Sequence, residues 1–292
     1  MNKIVFYKYQ GAGNDFVMLD NRSGELNSLS ASDIAAICHR KYGVGADGLI
    51  LLEYGAGSGM NGSAGSIGAD NADAASVAVL QMRYYNADGS IALFCGNGGR
   101  CFALFAHHLG LSKQCENIAR VTFIAGDGRH EAAVYSEKRI QISMRSVQSI
   151  NKCNSCGNML TVLDTGVPHG VVFTQSLDIC NVVENGRKIR NDKQFSEGVN
   201  VDFAERISSD SIRLRTYERG VEDETDSCGT GAVAAAIAAV VEEGSGTYGI
   251  NVETKTAKLK IYFTLDGNGA KDIILEGPAI KVFEGSAAIM DR

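Results

Sequence analysis

Two stretches of the sequence carry the same pattern: RYYNADGSIALFCGNG from Arg83 to Gly98 and RTYERGVEDETDSCGTG from Arg215 to Gly231. Each begins with an Arg-x-Tyr segment typical of a strand, continues through a polar turn, and ends in Cys-Gly-x-Gly before a run of helix-forming residues. This internal repeat predicts two similar halves, each presenting a strand, a loop, a Cys-Gly turn and a helix.

Strand and helix signals alternate along the rest of the chain. Strand-like composition occurs in segments 4–9, 16–19, 49–53, 250–263 and 273–283. Ser30 and Asp33 predict the N-cap and the third position of a helix that ends near Cys38. Residues 55–76 are almost entirely Gly, Ala, Ser, Asn and Asp. We expect them to form a flexible surface insertion between two strands, without a chemical role.

The composition excludes several classes of protein. The formal net charge is −6 and the pI is near 5.4, so no basic patch is available for nucleic acid as the main partner. The sequence shows no signal peptide and no apolar stretch of membrane-spanning length, so we expect a cytoplasmic protein with no membrane partner. The eight cysteines are then expected to be free thiols.

A Cys-Gly-x-Gly motif at the start of a helix can supply a reactive group and a binding site for an anion. Unpaired N–H groups and the helix dipole at this end favour a thiolate, which depresses the pKa of a cysteine there. Glycines let a ligand approach the backbone, and the N–H groups can hold its carboxylate. Two such turns, at Cys95 and Cys228, would suit inversion of an α-carbon, because one thiolate removes a proton while the opposite thiol delivers one.

Other interpretations of the motifs remain open at this point. Cys95 and Cys228 can be unreactive residues at helix starts. Cys153-Asn154-Ser155-Cys156 is a lone CxxC without the second ligand pair that zinc usually needs, and it has no redox context. Residues 11–16 imitate part of a dinucleotide fingerprint but lack its third glycine and a following helix. A non-catalytic metal-binding or ligand-binding protein built around the cysteines is the alternative to an enzyme.

The sequence resembles the diaminopimelate epimerase family along essentially its whole length apart from the insertion. The matching motifs are Lys8–Phe16, Gly43–Gly48, Asn86–Ser90, Cys95–Cys101, Gly166–His169, Gly198–Val201, Glu218–Gly220 and Cys228–Gly231. The resemblance implies an α/β (α+β) fold of two pseudo-symmetric halves. Each half would be a mixed sheet wrapped around a central helix, with the active site in the cleft between them. We expect residues 1–143 and 278–292 to form the half that carries Cys95, and residues 144–277 the half that carries Cys228.

The same resemblance implies a function. The protein would be an isomerase that interconverts LL- and meso-diaminopimelate, a precursor of lysine and of peptidoglycan. It would use α-proton abstraction and reprotonation by two cysteines, with no pyridoxal phosphate, no other cofactor and no metal. A homodimer is expected. The alternative from the same fold is a racemase of another amino acid, such as a proline-racemase-like enzyme.

The family pattern also assigns roles to residues. It makes Cys95 and Cys228 the acid–base pair, with His169 and Glu218 tuning the cysteines and helping to place the substrate. The substrate-binding positions it implies are Asn14, Asn86, Gly96, Asn97, Asn200, Glu218, Arg219, Gly229 and Thr230. Val167 lies where many relatives carry Asn or Ser, and Gly48 where some carry Gln, so those two contacts are not carried over.

Overall fold

A computed structural model of the protein describes residues 3–55 and 79–288. Apart from Gly55, the predicted insertion at residues 55–76 lies outside the described residues. The Gly55 N–H donates to the Val79 carbonyl at 2.7 Å, so the chain on the two sides of this gap is hydrogen bonded. No helix in the described part is both long enough and apolar enough to cross a membrane.

The chain divides into two compact units. The first contains residues 1–10, 15–135 and 280–292, and the second contains residues 11–14 and 136–279. The sequence-based division placed residues 11–14, 136–143 and 278–279 in the first half. Residues 11–14 lie in the second unit, where the Thr256 hydroxyl contacts the Ala12 carbonyl at 3.2 Å. The other two segments also belong to the second unit. They pack in the second unit because residues 139–143 pair with its strand 269–277, and the Ala279 N–H donates to the Glu137 carbonyl.

In its described residues, the first unit is a mixed sheet with two helices. Its helices are α1 (Ala31–Cys38) and α2 (Gly96–His108). Its strands are β1 (Lys3–Gly11), β2 (Asn14–Asp20), β3 (Gly48–Tyr54), β4 (Leu80–Asn86), β5 (Ile91–Ala92), β6 (Lys113–Cys115), β7 (Ile118–Ala125), β8 (Gly128–Ser136) and β19 (Ile280–Ala288), which pairs with β1. Helix α1 begins with the capping box that the sequence predicts, in which Ser30 and Asp33 bind each other's backbone N–H groups.

The second unit is also built from helices and a mixed sheet. Its helices are α3 (Val182–Arg190), α4 (Gly229–Val240) and a 3₁₀ turn (Val241–Glu243). Its strands are β9 (Arg139–Ser143), β10 (Ile150–Ser155), β11 (Asn158–Asp164), β12 (Pro168–Phe173), β13 (Asn200–Ser208), β14 (Ser211–Glu218), β15 (Asp223–Thr225), β16 (Gly246–Glu253), β17 (Lys258–Asp266) and β18 (Gly269–Gly277).

The two units repeat one topology. In the first, β1 and β2 form a hairpin, β2 pairs in parallel with β3 across α1, β3 and β5 flank β4, and β4 pairs in parallel with β7 after α2. In the second, β11, β12, β13, β14, β15 and β16 make the same sequence of pairings, with α3 and α4 in the two crossovers. The predicted pseudo-symmetry of the halves is therefore confirmed.

A buried helix forms the centre of each unit. Residues Gly96–Ala106 of α2 are all buried, as are all residues of α4 except Thr230. Helix α4 is apolar on every side, which predicts a helix surrounded by protein. The strands around it contribute aliphatic residues and few aromatic ones to the core, in keeping with a chain that has no Trp.

Candidate active site

Each Cys-Gly turn occupies the same structural position in its unit. Cys95 is the N-cap of α2 and Cys228 is the N-cap of α4, and both have an extended backbone. The strand before each helix leads into it through a short hairpin, so the first N–H groups of the helix follow the sulfur directly. Cys95 is half-buried, whereas Cys228 is buried.

Cys228 begins a chain of hydrogen-bonding side chains. Its Sγ lies 3.3 Å from Thr230 Oγ1, which in turn lies 3.0 Å from His169 Nε2. His169 Nδ1 is 2.6 Å from Asp202 Oδ2, and both side chains are fully buried. A neutral His169 that donates from Nδ1 to the carboxylate has its Nε2 lone pair facing the Thr230 hydroxyl. The hydroxyl therefore connects the histidine to the sulfur.

Asp202 is fixed from two further directions. The Thr216 hydroxyl donates to Asp202 Oδ1 at 2.7 Å, so each oxygen of the carboxylate has a partner. Gly231, in the first turn of α4, packs so closely that a Cβ there would lie 2.5 Å from Asp202 Oδ1. Glycine is required at this position because the carboxylate occupies the space of a side chain.

The sequence-based expectation of a depressed pKa is wrong for Cys228. Burial raises the pKa of the Cys228 thiol well above its ordinary value, and the carboxylates of Glu218 and Asp202 raise it further. The contact with Thr230 and the hydrogen bond from the Gly231 N–H, at 3.4 Å, act in the opposite direction but are weaker. Desolvation of the charged form outweighs the effect of the helix N-terminus.

Several sequence-predicted residues surround this chain in the second unit. Asn200 Oδ1 accepts the Arg219 N–H at 2.8 Å, and its Nδ2 lies 3.4 Å from His169 Nε2. The Arg219 guanidinium donates to the Glu197 carbonyl at 3.0 Å. Glu218 ends β14 and acts electrostatically on Cys228. The structure thus groups the candidates His169, Asn200, Glu218, Arg219, Gly229 and Thr230 with Cys228.

Asn14 also belongs to the second unit, although β2 continues into the first. The Thr256 hydroxyl lies 3.2 Å from the Ala12 carbonyl and 3.4 Å from the Asp226 carbonyl. The turn that carries Asn14 is therefore held against the segment just before Cys228.

The first unit holds the remaining candidates. Asn86 closes the turn after β4, with its backbone N–H donating to the Ser90 carbonyl at 2.9 Å and its side chain to Ser90 Oγ at 3.0 Å. Gly96 and Asn97 form the first turn of α2, directly after Cys95, and both are buried. Cys95, Gly96 and Asn97 lie together at the start of α2, whereas Asn86 lies at the turn between β4 and β5.

Sequence reasoning missed two charged residues of this region. Asp202 was not identified as a candidate from the sequence. An acidic residue between Val201 and Phe203 in a buried strand could have indicated it, because a buried charge needs a partner. Arg100 was quoted as part of a motif without a role. It is fully buried, and its guanidinium turns back to the Gly96 carbonyl at 3.3 Å and to Asn97 Oδ1 at 2.7 Å.

The lone CxxC spans the end of β10 and the turn that follows it. Cys153 is half-buried in β10, and Cys156 is exposed in the turn between β10 and β11. All eight cysteines fall within the described ranges, and none forms a disulfide there. Within those same ranges, no group of three or more His, Cys, Asp or Glu side chains is arranged to hold a metal ion.

Comparison with known proteins gives consistent results. A family model described as diaminopimelate epimerase matches residues 6–150 and 161–282. A diaminopimelate epimerase of Flavobacterium psychrophilum is 38% identical over 279 residues, which covers 95% of this chain and 98% of that protein. One of Chlorobaculum tepidum is 36% identical over 282 residues, covering 96% and 99%.

Solved structures with low sequence identity share the fold. A Bacillus anthracis phenazine biosynthesis protein of the PhzF family superimposes with a TM-score of 0.69 at 15% identity, covering 99% of this chain and 100% of that one. A probable proline racemase from Agrobacterium radiobacter K84 gives a TM-score of 0.66 at 14% identity, covering 98% and 93%.

Proposed function

This chain belongs to the diaminopimelate epimerase family of isomerases, and on that premise we propose that Cys95 and Cys228 are the two acid–base groups that invert one α-carbon of diaminopimelate. The observation that supports this assignment is the placement of the two cysteines at the N-caps of two topologically equivalent helices. No other pair among the eight cysteines is related in this way, and all eight lie in the described part of the chain.

The reaction needs one base and one acid. A thiolate takes the α-proton and becomes a thiol, while the electron pair of the C–H bond moves toward the carboxylate of the substrate. The second thiol then gives its proton to the opposite face of the carbon and becomes a thiolate. The N–H groups at Gly96, Asn97, Gly229 and Thr230 are suited to hold the carboxylate, because negative charge grows on it in the transition state.

His169 and Thr230 give the proton at Cys228 a path. When Cys228 is a thiol, its proton can point to Thr230 Oγ1 while the Thr230 hydroxyl donates to His169 Nε2. When His169 is protonated, the same bonds reverse and the Thr230 hydroxyl donates to the thiolate. Asp202 supports the protonated histidine through its hydrogen bond to Nδ1, which is a charge-assisted pair in that state.

Recognition of the rest of the substrate falls to amide and guanidinium groups. Asn14, Asn86, Asn200 and Arg219 can hydrogen bond an ammonium–carboxylate pair, since Asn both donates and accepts and Arg binds carboxylates with two N–H groups. Holding the distal head of the substrate fixes the reacting carbon in place.

The proposed enzyme works in the cytoplasm as a homodimer. These two statements extend the resemblance of the sequence to the family. Exposed apolar side chains on β19, Val282 and Phe283, are available for contact with a second subunit. Light scattering after size-exclusion chromatography tests the assembly, and a mass of one chain across the working concentration range would contradict it.

Exchange of solvent deuterium tests the catalytic assignment. We expect the parent enzyme to place deuterium at the α-carbon of LL- and meso-diaminopimelate. The variants Cys95→Ser and Cys228→Ser should each reduce the rate of epimerisation by at least about 10³-fold, because each removes one member of the acid–base pair. Cys115→Ser and Cys153→Ser, which change half-buried cysteines in strands β6 and β10, are the matched controls.

Two outcomes would contradict the proposal. If either catalytic variant kept turnover close to that of the parent while folding normally, the two-cysteine assignment would be wrong. If the parent acted on proline or glutamate but not on diaminopimelate, the enzyme would be a racemase of another amino acid.

A further inference from the structure

The turn that joins β14 to β15 begins with Glu218 and Arg219, two of the candidate site residues. Its counterpart between β4 and β5 has residues 86–90 between paired strand positions, whereas this turn has residues 218–223 and is one residue longer. A longer turn has more conformations available to it, and ordering it costs more entropy. Holding Glu218 and Arg219 in one position therefore requires contacts beyond the pairing of the two strands.

Glu222 has an unusual backbone conformation in this turn. Its φ is +58°, in the left-handed region that residues other than Gly, Asn and Asp rarely adopt. Its N–H donates to the Glu218 carbonyl at 2.8 Å, which closes the turn. A strained conformation of this kind persists only where the surrounding contacts favour it. At Glu222 the side chain makes those contacts.

Both oxygens of the Glu222 carboxylate are hydrogen bonded. Oε1 accepts the Gly220 N–H at 3.1 Å and the Nε–H of Arg190 at 2.9 Å, and Oε2 accepts the Tyr217 hydroxyl at 3.1 Å. The hydrogen bond from Gly220 and the guanidinium of Arg190 lower the pKa of Glu222 below its ordinary value, although partial burial acts against them. The side chain is therefore charged at neutral pH, and it connects the middle of the turn to β14 and to α3.

Arg190 extends this connection to a second loop. It is the last residue of α3, and its guanidinium lies against the backbone of Gly198. A Cβ on Gly198 would lie 2.5 Å from Arg190 Nη1 and 2.7 Å from Cζ, and the φ of Gly198 is +75°. Glycine suits this position because it permits both the close approach and the backbone conformation. Arg190 thus lies between the loop that precedes β13 and the turn that follows β14.

The same loop and turn also contact each other through candidate site residues. Asn200 Oδ1 accepts the Arg219 N–H at 2.8 Å. The Arg219 guanidinium donates to the Glu197 carbonyl at 3.0 Å. The ion pair of Arg190 and Glu222 therefore supports two segments whose relative position decides where the guanidinium of Arg219 lies.

Helix α3 is a firm base for this ion pair. A Cβ on Gly186 would lie 2.4 Å from the Cβ of Tyr217, so the helix and β14 are in close contact. Ile189 and Tyr217 are fully buried in one apolar cluster. The side chains of Arg190 and Glu222 are 25% and 42% exposed, and an ion pair this accessible adds little to stability. Its effect is therefore expected in the position of the turn and not in the folding of the unit.

We propose that Arg190 and Glu222 are positioning residues, and that their ion pair holds the turn 218–223 against the loop 197–200 in the form that binds substrate. This inference rests on the proposed function, in which residues of both segments bind diaminopimelate. Without the ion pair the turn also occupies other conformations, and the substrate must select the competent one. The apparent affinity then falls with the competent fraction, while the turnover of bound substrate changes little.

Steady-state kinetics of three variants test this division between binding and turnover. Glu222→Asn removes the contact with Arg190 but keeps a residue type that tolerates a left-handed backbone. We expect it to raise KM for diaminopimelate about tenfold and to leave kcat within about twofold of the parent. Arg190→Met should raise KM about three- to fivefold, because the bonds of Glu222 to the turn remain. The double variant should have the KM of Glu222→Asn alone, since both changes remove the same ion pair.

Two further sets of variants identify the cause. Glu222→Gln keeps the length of the side chain and an oxygen that accepts hydrogen bonds, so it should recover part of the KM that Glu222→Asn loses. Glu184 and Lys188 form an ion pair on the exposed surface of the same helix, with Nζ 2.8 Å from Oε1. Glu184→Gln and Lys188→Met are therefore the matched controls, and both should keep the KM of the parent.

Hydrogen–deuterium exchange separates this inference from the proposed function. Without substrate, amides of residues 218–223 should exchange faster in Glu222→Asn than in the parent, while the urea midpoint of unfolding stays the same. Faster exchange in a protein that does not act on diaminopimelate would refute the function and support the positioning role. Unchanged exchange, or a loss of kcat at constant KM in an active enzyme, would each overturn the inference. If Arg190→Met does not fold, Glu222→Asn and Glu222→Gln decide by the same two measurements.

Discussion

Adding one methyl group to the first turn of α4 is a sharp test of the candidate site. In Gly231→Ala the new Cβ would lie 2.5 Å from Asp202 Oδ1 and 3.3 Å from the Cβ of Cys228. An ordinary contact needs 3.4 Å or more, so the carboxylate or the turn must move by about 0.9 Å. Asp202 has no room to yield, because it is fully buried and bound by His169 and Thr216.

The magnitude follows from these contacts. Losing one hydrogen bond to a buried carboxylate costs about 1.5–3 kcal/mol, while replacing Gly by Ala in a helix stabilises it by up to about 1 kcal/mol. We expect Gly231→Ala to lower the free energy of unfolding by about 1–2 kcal/mol. If the turn moves instead, Cys228 is displaced, and a shift approaching 1 Å at a reacting group lowers kcat/KM by about 10²-fold.

Gly98→Ala is the matched control, since Gly98 has the same position in α2. Its Cβ would meet the tips of Ile50, Met82 and Phe16 at 3.0–3.4 Å, and such apolar tips can give way. We expect a stability close to that of the parent and a smaller loss of activity. Urea titration and initial rates in both directions supply the two measurements. Equal effects in both variants would refute the argument that a fixed Asp202 makes the second turn the more sensitive one.

Two further predictions concern the carboxylates of Asp202, which is buried, and Asp15, which is half-buried. Asp202→Asn should reduce kcat/KM by about 5–30-fold, because a charge-assisted bond to His169 worth about 1–2 kcal/mol more than a neutral one is lost. The reduction in kcat/KM should be the same for the forward and the reverse reaction, because the variant cannot change the equilibrium constant in solution. A kcat/KM equal to that of the parent and of an Asp178→Asn control would contradict this prediction. For Asp15, burial acts to raise the pKa, but hydrogen bonds from two neighbouring cations outweigh it and lower the pKa to about 2. Its carboxylate should therefore contribute about 2 kcal/mol of stability above pH 4, and this should vanish as the pH falls toward 2. Urea titrations of Asp15→Asn against the parent measure the difference, which would stay constant with pH if the reasoning failed.

The sequence by itself was enough to predict that the chain has two similar halves, where the central helix of each half begins, and which family the chain resembles. The Arg-x-Tyr strands and the Cys-Gly turns recur at nearly the same spacing, and local rules for strands and helix starts are enough to interpret them. The capping box at Ser30 was predictable for the same reason, since it depends on residues three positions apart. The apolar run after Cys228 likewise predicted a buried helix.

The surroundings of the two sulfurs were decided only by the tertiary structure. The contacts His169–Asp202 and Asp202–Thr216 join three strands, and no local pattern places those residues together. The helix N-terminus, a local feature, suggested a low pKa for Cys228, but burial and the carboxylates of other strands reverse it. Acidity depends on the field of all neighbouring charges and on desolvation, and both are properties of the packed chain.

The side chains that differ between the two halves likewise became apparent only from the tertiary structure. The two repeated stretches of the sequence resemble each other in their Cys-Gly turns. Their spacing alone was enough to find the repeated pattern of strand and helix. Pairing register was needed to match Ile50 with Asp202, which both lie outside the two repeated stretches. Backbone geometry follows from local propensity and hydrophobic pattern, whereas the charge that each sulfur meets depends on which side chains the folded strands bring beneath it.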